Sequence, residues 1–218
     1  MVELPPEFAD RFPTELSGGQ KQRVNLARSL ASNPDVMLCD EVTSALDSIV
    51  GSNVIKLLKG LRNKTGVSFV FISHDLSTVA SFADRIVVLY AGRVVEQGST
   101  DAVLTPPFHP YTRLLISSVP ELRIGWLEDT MKKREMAVGI ARGVEITAVG
   151  CPFFNRCPIA IEGTCDTEVP PIRESVKDHL IACHISIEEL VESDEHVQKV
   201  LHGFEKVGEE DARMPTAH

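Results

Sequence analysis

The chain has 218 residues, 31 acidic against 22 basic side chains, a net charge of −9 and 43% hydrophobic content. That size holds one ordinary domain or two small ones with a real core, and the negative balance disfavours a nucleic-acid partner held by bulk electrostatics. No apolar run approaches the ~20 residues needed to span a bilayer, and Met1-Val2-Glu3-Leu4-Pro5-Pro6 lacks the character of a secretory leader, so the cytosol is the expected location.

A Pro-containing segment over residues 1–15 leads into Leu16-Ser17-Gly18-Gly19-Gln20. Ser17 is placed to cap a helix from about Gly18 to Ala31, with Val24, Ala27 and Ala31 as its apolar stripe. Asn33-Pro34 ends it. Val36 to Cys39 is a continuous apolar run, which predicts a strand buried on both faces, closed by Asp40-Glu41. Asp47 opens a second helix whose Val50, Val54, Leu57, Leu58 and Leu61 keep helical spacing, and Gly66 closes it. Ser68–Ile72 reads as a second buried strand, with a short helix near Leu76–Ala83. Arg85–Tyr90 and Arg93–Gln97 flank Ala91-Gly92 as a hairpin.

Strands alternating with helices predict an α/β fold with a mainly parallel sheet. The polar motifs fall at strand carboxyl ends and helix amino ends, where such sheets bind ligands. After Gln97 the pattern weakens. Pro106, Pro107, Pro110 and Pro120 punctuate a connector with a helix-like Tyr111–Ser118, and a cysteine segment spans about 145–185. Residues 186–218 carry nine acids against three Lys or Arg, and their Ile187, Leu190, Val191, Val197, Val200, Leu201 and Phe204 keep helical spacing.

Three features carry chemistry. Gly18-Gly19 behind Ser17 lets backbone N–H groups approach a phosphate, where the helix dipole adds positive potential and the Ser17 hydroxyl can donate. Adjacent carboxylates at the end of a buried strand are costly unless compensated; Asp40 can hold Mg²⁺ through its waters, and Glu41 can deprotonate an attacking water. His74, after the second strand, can contact a terminal phosphate. Taken singly, each has a plainer reading: a turn, a helix cap, an incidental loop histidine.

The combination is more specific. Ser17 lies 23 residues before Asp40, and His74 lies 33 after Glu41. Leu16–Gln20, Val36–Glu41, Ser44-Ala45-Leu46-Asp47 and Ile72-Ser73-His74-Asp75 resemble the signature, Walker B, D-loop and switch histidine of the ATP-binding cassette family. Tyr90-Ala91-Gly92-Arg93-Val94-Val95-Glu96 and His109-Pro110-Tyr111-Thr112-Arg113 narrow the resemblance to the oligopeptide and dipeptide importer ATPases, over roughly residues 8 to 185.

That resemblance implies the carboxy-terminal part of a P-loop NTPase cassette over residues 1–104, an importer-type extension over 105–185, and an acidic tail over 186–218. It implies ATP and Mg²⁺ as ligands. Ser17, Gly18, Gly19 and Gln20 would contact nucleotide held by an opposing cassette, Asp40 would support Mg²⁺, Glu41 would be the base, His74 the γ-phosphate switch, and Asp47 a link across the dimer. It further implies a second cassette, membrane-spanning permease subunits and, indirectly, a peptide-binding protein outside the membrane as partners, with the chain peripheral on the inner face. Val42 stands where the family usually has proline. No Gly-x-x-x-x-Gly-Lys-Ser/Thr loop occurs in these residues, so the chain by itself is expected to bind ATP weakly and not to turn it over.

Cys151, Cys157, Cys165 and Cys183 follow C-x5-C-x7-C-x17-C, without the paired knuckles of zinc sites. Proline follows two of them, as in some iron–sulfur loops, and some members of the importer family carry a [4Fe–4S] cluster in this extension. Zinc and plain reduced cysteines are the alternatives, with His179 and His184 as further candidate ligands. Cys39, inside the first strand, reads as core. The leading expectation is the energy-coupling subunit of a peptide importer. Its rival is a non-catalytic interaction or redox module that lends its signature face to a partner. DNA-repair or translation ATPases of the same core would need coiled-coil heptads or basic patches, which the sequence lacks.

Overall fold

The structure is a computed structural model that describes residues 2–44, 46–118 and 149–193. It divides into two compact units, Met1–Ala83 and Asp84–His218. In the first, two 3-10 turns (Pro6–Asp10 and Pro13–Glu15) precede α1 (Gly18–Leu30), β1 (Val36–Asp40), α2 (Ser48–Thr65), β2 (Ser68–Ile72) and α3 (Leu76–Phe82). Strands β1 and β2 run parallel, Val36 opposite Ser68 and Asp40 opposite Ile72. A parallel pair requires a crossover, and α2 supplies it.

Helix α2 is the best-specified element. Asp47 accepts the N–H groups of Ile49 and Val50 at 3.1 and 2.9 Å, which satisfies two otherwise unpaired donors. Gly66 ends the helix at φ 70°, a conformation that suits glycine. Its Val54, Ile55, Leu57, Leu58 and Leu61 pack with Met37 and Cys39 of β1, Leu26 of α1, and Phe82. The Phe82 ring meets Phe69 edge-on at 5.7 Å.

Two expectations change here. The buried side of α1 is Leu26, with Leu30 against the core, while Val24 and Ala31 lie exposed. Leu26 and Leu30 lie one turn apart on one face, and their larger side chains win the core over Val24 and two alanines. Strands β1 and β2 are not buried on both faces. Met37 and Cys39 point inward, whereas Leu38 is 66% exposed and Val70 49%. Among the described residues of this unit, α1, α2 and α3 supply the inner layer, and an apolar run reads the same whether one face or two is covered.

The second unit contains β3 (Arg85–Tyr90), β4 (Arg93–Ser99), α4 (Thr100–Val103), α5 (Pro110–Ser117), β5 (Ile172–Val176), β6 (His179–Ala182) and a helical turn, α6, over 187–193. Its strands lie in the order β3-β4-β6-β5, antiparallel throughout. The expectation of a mainly parallel sheet is therefore corrected: among the described residues, parallel pairing is confined to β1 and β2. Short turns are the reason. Ala91 and Gly92 both have positive φ, 49° and 75°, which is the two-residue hairpin geometry, and Asp178 at φ 64° turns β5 into β6.

A bulge shapes β4. Val88 pairs with Glu96 and Leu89 with Val94, which leaves Val95 as an extra residue. Val95 and Glu96 are consequently both buried, although they are consecutive. Leu190 of α6 packs with Ile181 and Cys183. Of the expected tail periodicity, Val197, Val200, Leu201 and Phe204 lie outside the described residues, as do Ala45 and Pro120.

Candidate functional site

The parallel register of β1 and β2 puts their carboxyl ends side by side. Glu41 donates its N–H to the Ile72 carbonyl at 3.0 Å, extending the ladder one step past β1, and then turns at φ 49°. This left-handed conformation is uncommon for a side-chain-bearing residue and marks a held geometry. The carboxylate thereby reaches the ring of His74, Oε1 to Nδ1 at 2.9 Å. The hydrogen bond from His74 holds the Glu41 carboxyl below its usual range, and the same contact raises His74 above its own. Both groups remain accessible, with His74 78% exposed and Glu41 40%. Glu41 Oε2 is screened from solvent without a hydrogen-bond partner among the described groups. A carboxylate held below its usual range stays ionised at neutral pH and can accept a proton from a water that reaches it.

Asp40 ends β1 with an exposed side chain. Among the described residues, no three His, Cys, Asp or Glu side chains group to hold a metal ion. Mg²⁺ is commonly held by one or two carboxylates together with phosphates and water. Asp40 is the residue that would face it, and the ion would supply charge neutralisation on phosphate oxygens.

Ser17 caps α1 as expected. Its Oγ accepts the Gln20 N–H at 3.3 Å, and Gln20 Oε1 accepts the Ser17 N–H at 2.8 Å. This reciprocal box fixes the turn and leaves the Ser17 hydroxyl proton for another acceptor. Gln20 therefore spends its side-chain oxygen on the turn itself. Ser17 and Gly18 are exposed. Asp47 uses Oδ1 to cap α2. The structure thus joins Glu41 with His74, and the signature turn with the start of α2.

The cysteines behave otherwise. Cys151, Cys157, Cys165 and Cys183 are all buried and unbridged. Gly150 is obligatory beside them, because a Cβ there would lie 2.3 Å from the Cys165 carbonyl oxygen, whose partner is the Cys151 N–H at 2.7 Å. Burial pushes the Cys157 thiol up to about 12 and Cys183 up to about 11, and the neighbouring cysteines push the same way. Cys151, Cys157 and Cys165 pack with Phe153 and Phe154 in one apolar cluster, and Cys183 packs with Ile181 and Leu190 in another. Among the described residues these side chains do not form a metal-holding group, so the iron–sulfur and zinc readings are not supported. His184 bonds the Glu168 carbonyl at 3.1 Å, and His179 is committed elsewhere.

That commitment is a network joining Glu96 and His109, each from one of the two importer-type motifs, to His179. Glu96, 1% exposed, holds His179 Nε2 at 2.8 Å with one oxygen and accepts the His109 N–H at 2.9 Å with the other. His179 Nδ1 meets Ser175 Oγ at 2.6 Å. His109 caps α5, its ring Nδ1 accepting the Tyr111 N–H at 3.1 Å, and Pro110 occupies the first helical turn. One carboxylate therefore ties β4, the start of α5 and the β5–β6 hairpin together. The available signal was the single charged residue at a strand position where the bulge turns two neighbours inward.

Burial, with the nearby Arg113 charge, drops the His109 pKa to about 3 from an ordinary 6.5. Between those values the unfolded chain binds a proton that the folded chain refuses, so stability falls as pH falls below about 6.5. At pH 5 the loss is about 2 kcal/mol from this group. Denaturant titrations at pH 7 and pH 5 should show that difference, and His109→Asn, which keeps a capping oxygen, should shrink it. An undiminished acid loss in that variant would assign the effect to other groups.

Comparison with known proteins identifies relatives of this chain. The family described as ABC transporter matches residues 1–44, and that described as the C-terminal region of the oligopeptide/dipeptide transporter matches residues 95–165. A protein of Brucella abortus strain 2308, named as a peptide import ATP-binding protein, is 41% identical over 185 residues, covering 85% of this chain and 53% of that one. A protein of the same description from Brucella ovis is 41% identical over 182 residues, covering 84% and 56%. A dimeric ATP-binding cassette solved in a post-hydrolysis state with ADP and Pi is 41% identical, covering 45% of this chain and 42% of that one, with a TM-score of 0.40. The chain spans about half the length of the relatives it matches. It belongs to the ATP-binding cassette family, in the oligopeptide/dipeptide importer branch.

Proposed function

We propose that this chain is the hydrolytic and signature portion of an ATPase subunit that drives peptide import, working at the inner face of a membrane against permease subunits and a second cassette. The observation that carries the reading is the Glu41–His74 pair at the joined ends of β1 and β2. A water placed between Glu41 and a γ-phosphate loses its proton to the carboxylate as its oxygen bonds phosphorus, and the bond to the bridging oxygen breaks to release ADP. His74, held by Glu41, steadies the terminal phosphate, while Asp40 faces Mg²⁺. Ser17, Gly18, Gly19 and Gln20 meet ATP held by the facing cassette, and Asp47 stands at the junction. The cassette portion spans 1–104 in this reading, the importer-type extension 105–185 and the acidic tail 186–218. The iron–sulfur and zinc readings of the cysteines gain no support from this arrangement, and the thiols enter the proposal as reduced core. Among the described residues no helix is long and apolar enough to cross a membrane.

Analytical ultracentrifugation of this chain with a complete cassette of the family tests the proposal. Association should require Mg-ATP and be lost in Ser17→Arg, which blocks the turn. Association without nucleotide would favour the rival module. No association at all would overturn the assignment of the turn.

A further inference from the structure

The glycines of the signature turn meet protein as well as ligand space. A Cβ on Gly19 would lie 2.6 Å from Val50 Cγ1, and one on Gly18 would lie 3.2 Å from Leu46 Cδ2. The first distance is closer than two carbons approach, and Val50 cannot easily give way, because a valine inside a helix has one strongly preferred rotamer. Val50 is itself anchored, since its N–H donates to Asp47 Oδ1 at 2.9 Å. Contacts therefore run without a break from the Asp47 carboxylate, through Val50, to the backbone of Gly19. Gly19 stands in the first turn of α1, whose Gln20 and Lys21 N–H groups bond Ser17 Oγ and the Ser17 carbonyl.

We propose that Val50 is a positioning residue for the phosphate-facing turn. Its Cγ1 sets where the α1 amino terminus stands against the loop before α2, so that a movement of Asp47 carries the turn with it. This rests on the reading above that the turn faces a phosphate. Glycine at 19 then serves two separable ends: ligand approach, and clearance for Val50. Leu46 holds Gly18 in the same manner at a looser distance.

The full chain as wild type, Gly19→Ala, Val50→Ala and the double variant decides the matter, with thermal melting, amide hydrogen exchange and Mg-ATP-dependent assembly with a complete cassette as readouts. Gly19→Ala should lower the melting midpoint, and the double variant should recover it because the obstructing methyl is gone. Val50→Ala alone should leave melting near wild type yet speed exchange at Gln20 and Lys21 about 10-fold, and it should weaken Mg-ATP-dependent assembly by up to about 10-fold. Unchanged exchange in Val50→Ala, or a Gly19→Ala defect undiminished in the double variant, overturns the proposal. Melting and exchange need no nucleotide. A wild type that never assembles with Mg-ATP therefore defeats the functional reading, while the exchange data still judge the packing of Val50.

Discussion

Replacing Glu41 by Gln should lower ATP turnover about 10²- to 10³-fold in an assembly that joins a phosphate loop to this chain, with Mg-ATP binding retained. The amide keeps the size and planarity of the carboxylate, so the left-handed turn at Glu41 and its backbone bond to Ile72 persist. What is lost is the proton acceptor. A second measurement separates this from misfolding. Glu41 raises the His74 pKa through the 2.9 Å contact, so the variant should return the His74 titration, followed by NMR, toward 6.5. The sign is fixed by the pair: the facing carboxylate favours the protonated histidine and raises its pKa, and removing that charge lowers it. Turnover within about 3-fold of wild type would remove Glu41 from the role of base. A His74 titration that does not move would mean that the pair is not formed.

The second large effect concerns stability. Glu96→Ala should destabilise the unit that begins at Asp84 by about 3–5 kcal/mol, read by denaturant unfolding. The deletion strands two buried donors at once, the His109 N–H and the ring nitrogen of His179. It also opens a cavity at a site that is 1% exposed. Glu96→Gln should cost far less, about 1 kcal/mol. Its carbonyl still accepts from His109, and a neutral His179 can exchange tautomers, taking the amide N–H at Nε2 and donating from Nδ1 to Ser175. If Glu96→Ala costs under about 1 kcal/mol, the carboxylate is not what joins the three segments. If Glu96→Gln costs as much as Ala, the negative charge rather than the acceptor geometry is what matters.

How far the sequence could be read depended on the range of the signal. The whole of α2 was legible, because Asp47, the Val54–Leu61 spacing and Gly66 are local, and they were matched by the cap bonds, by burial and by a backbone angle in turn. Glu41 and His74 were singled out separately by motif order; their contact follows from the parallel pairing of β1 with β2, which no local pattern states. The exposed faces of Leu38 and Val70 could not be foreseen, because exposure depends on what covers a sheet. Val24 was misplaced for a smaller reason: Leu26, two residues on, outweighs it in apolar area. Glu96 was hidden by the bulge, whose place is set by pairing with β3 rather than by any residue of β4. His179 was read as a candidate ligand because its partner stands 83 positions earlier. The cysteines show the limit of spacing alone. Of four thiols at suggestive intervals, three pack into one apolar cluster and Cys183 into another.

The strand order β3-β4-β6-β5 has a consequence for how the chain is made. The hairpin of β3 and β4 is complete by Ser99, but the strand that covers its open edge does not exist until His179–Ala182 has been synthesised. At ribosomal speeds those 83 positions take roughly 4–17 s. Throughout that interval the edge of β4 presents unpaired N–H and C=O groups, and the carboxylate of Glu96 waits for its histidine. Nascent chains are therefore most open to mispairing and to chaperone capture while residues 100–182 are being translated, and slower translation there lengthens the exposure.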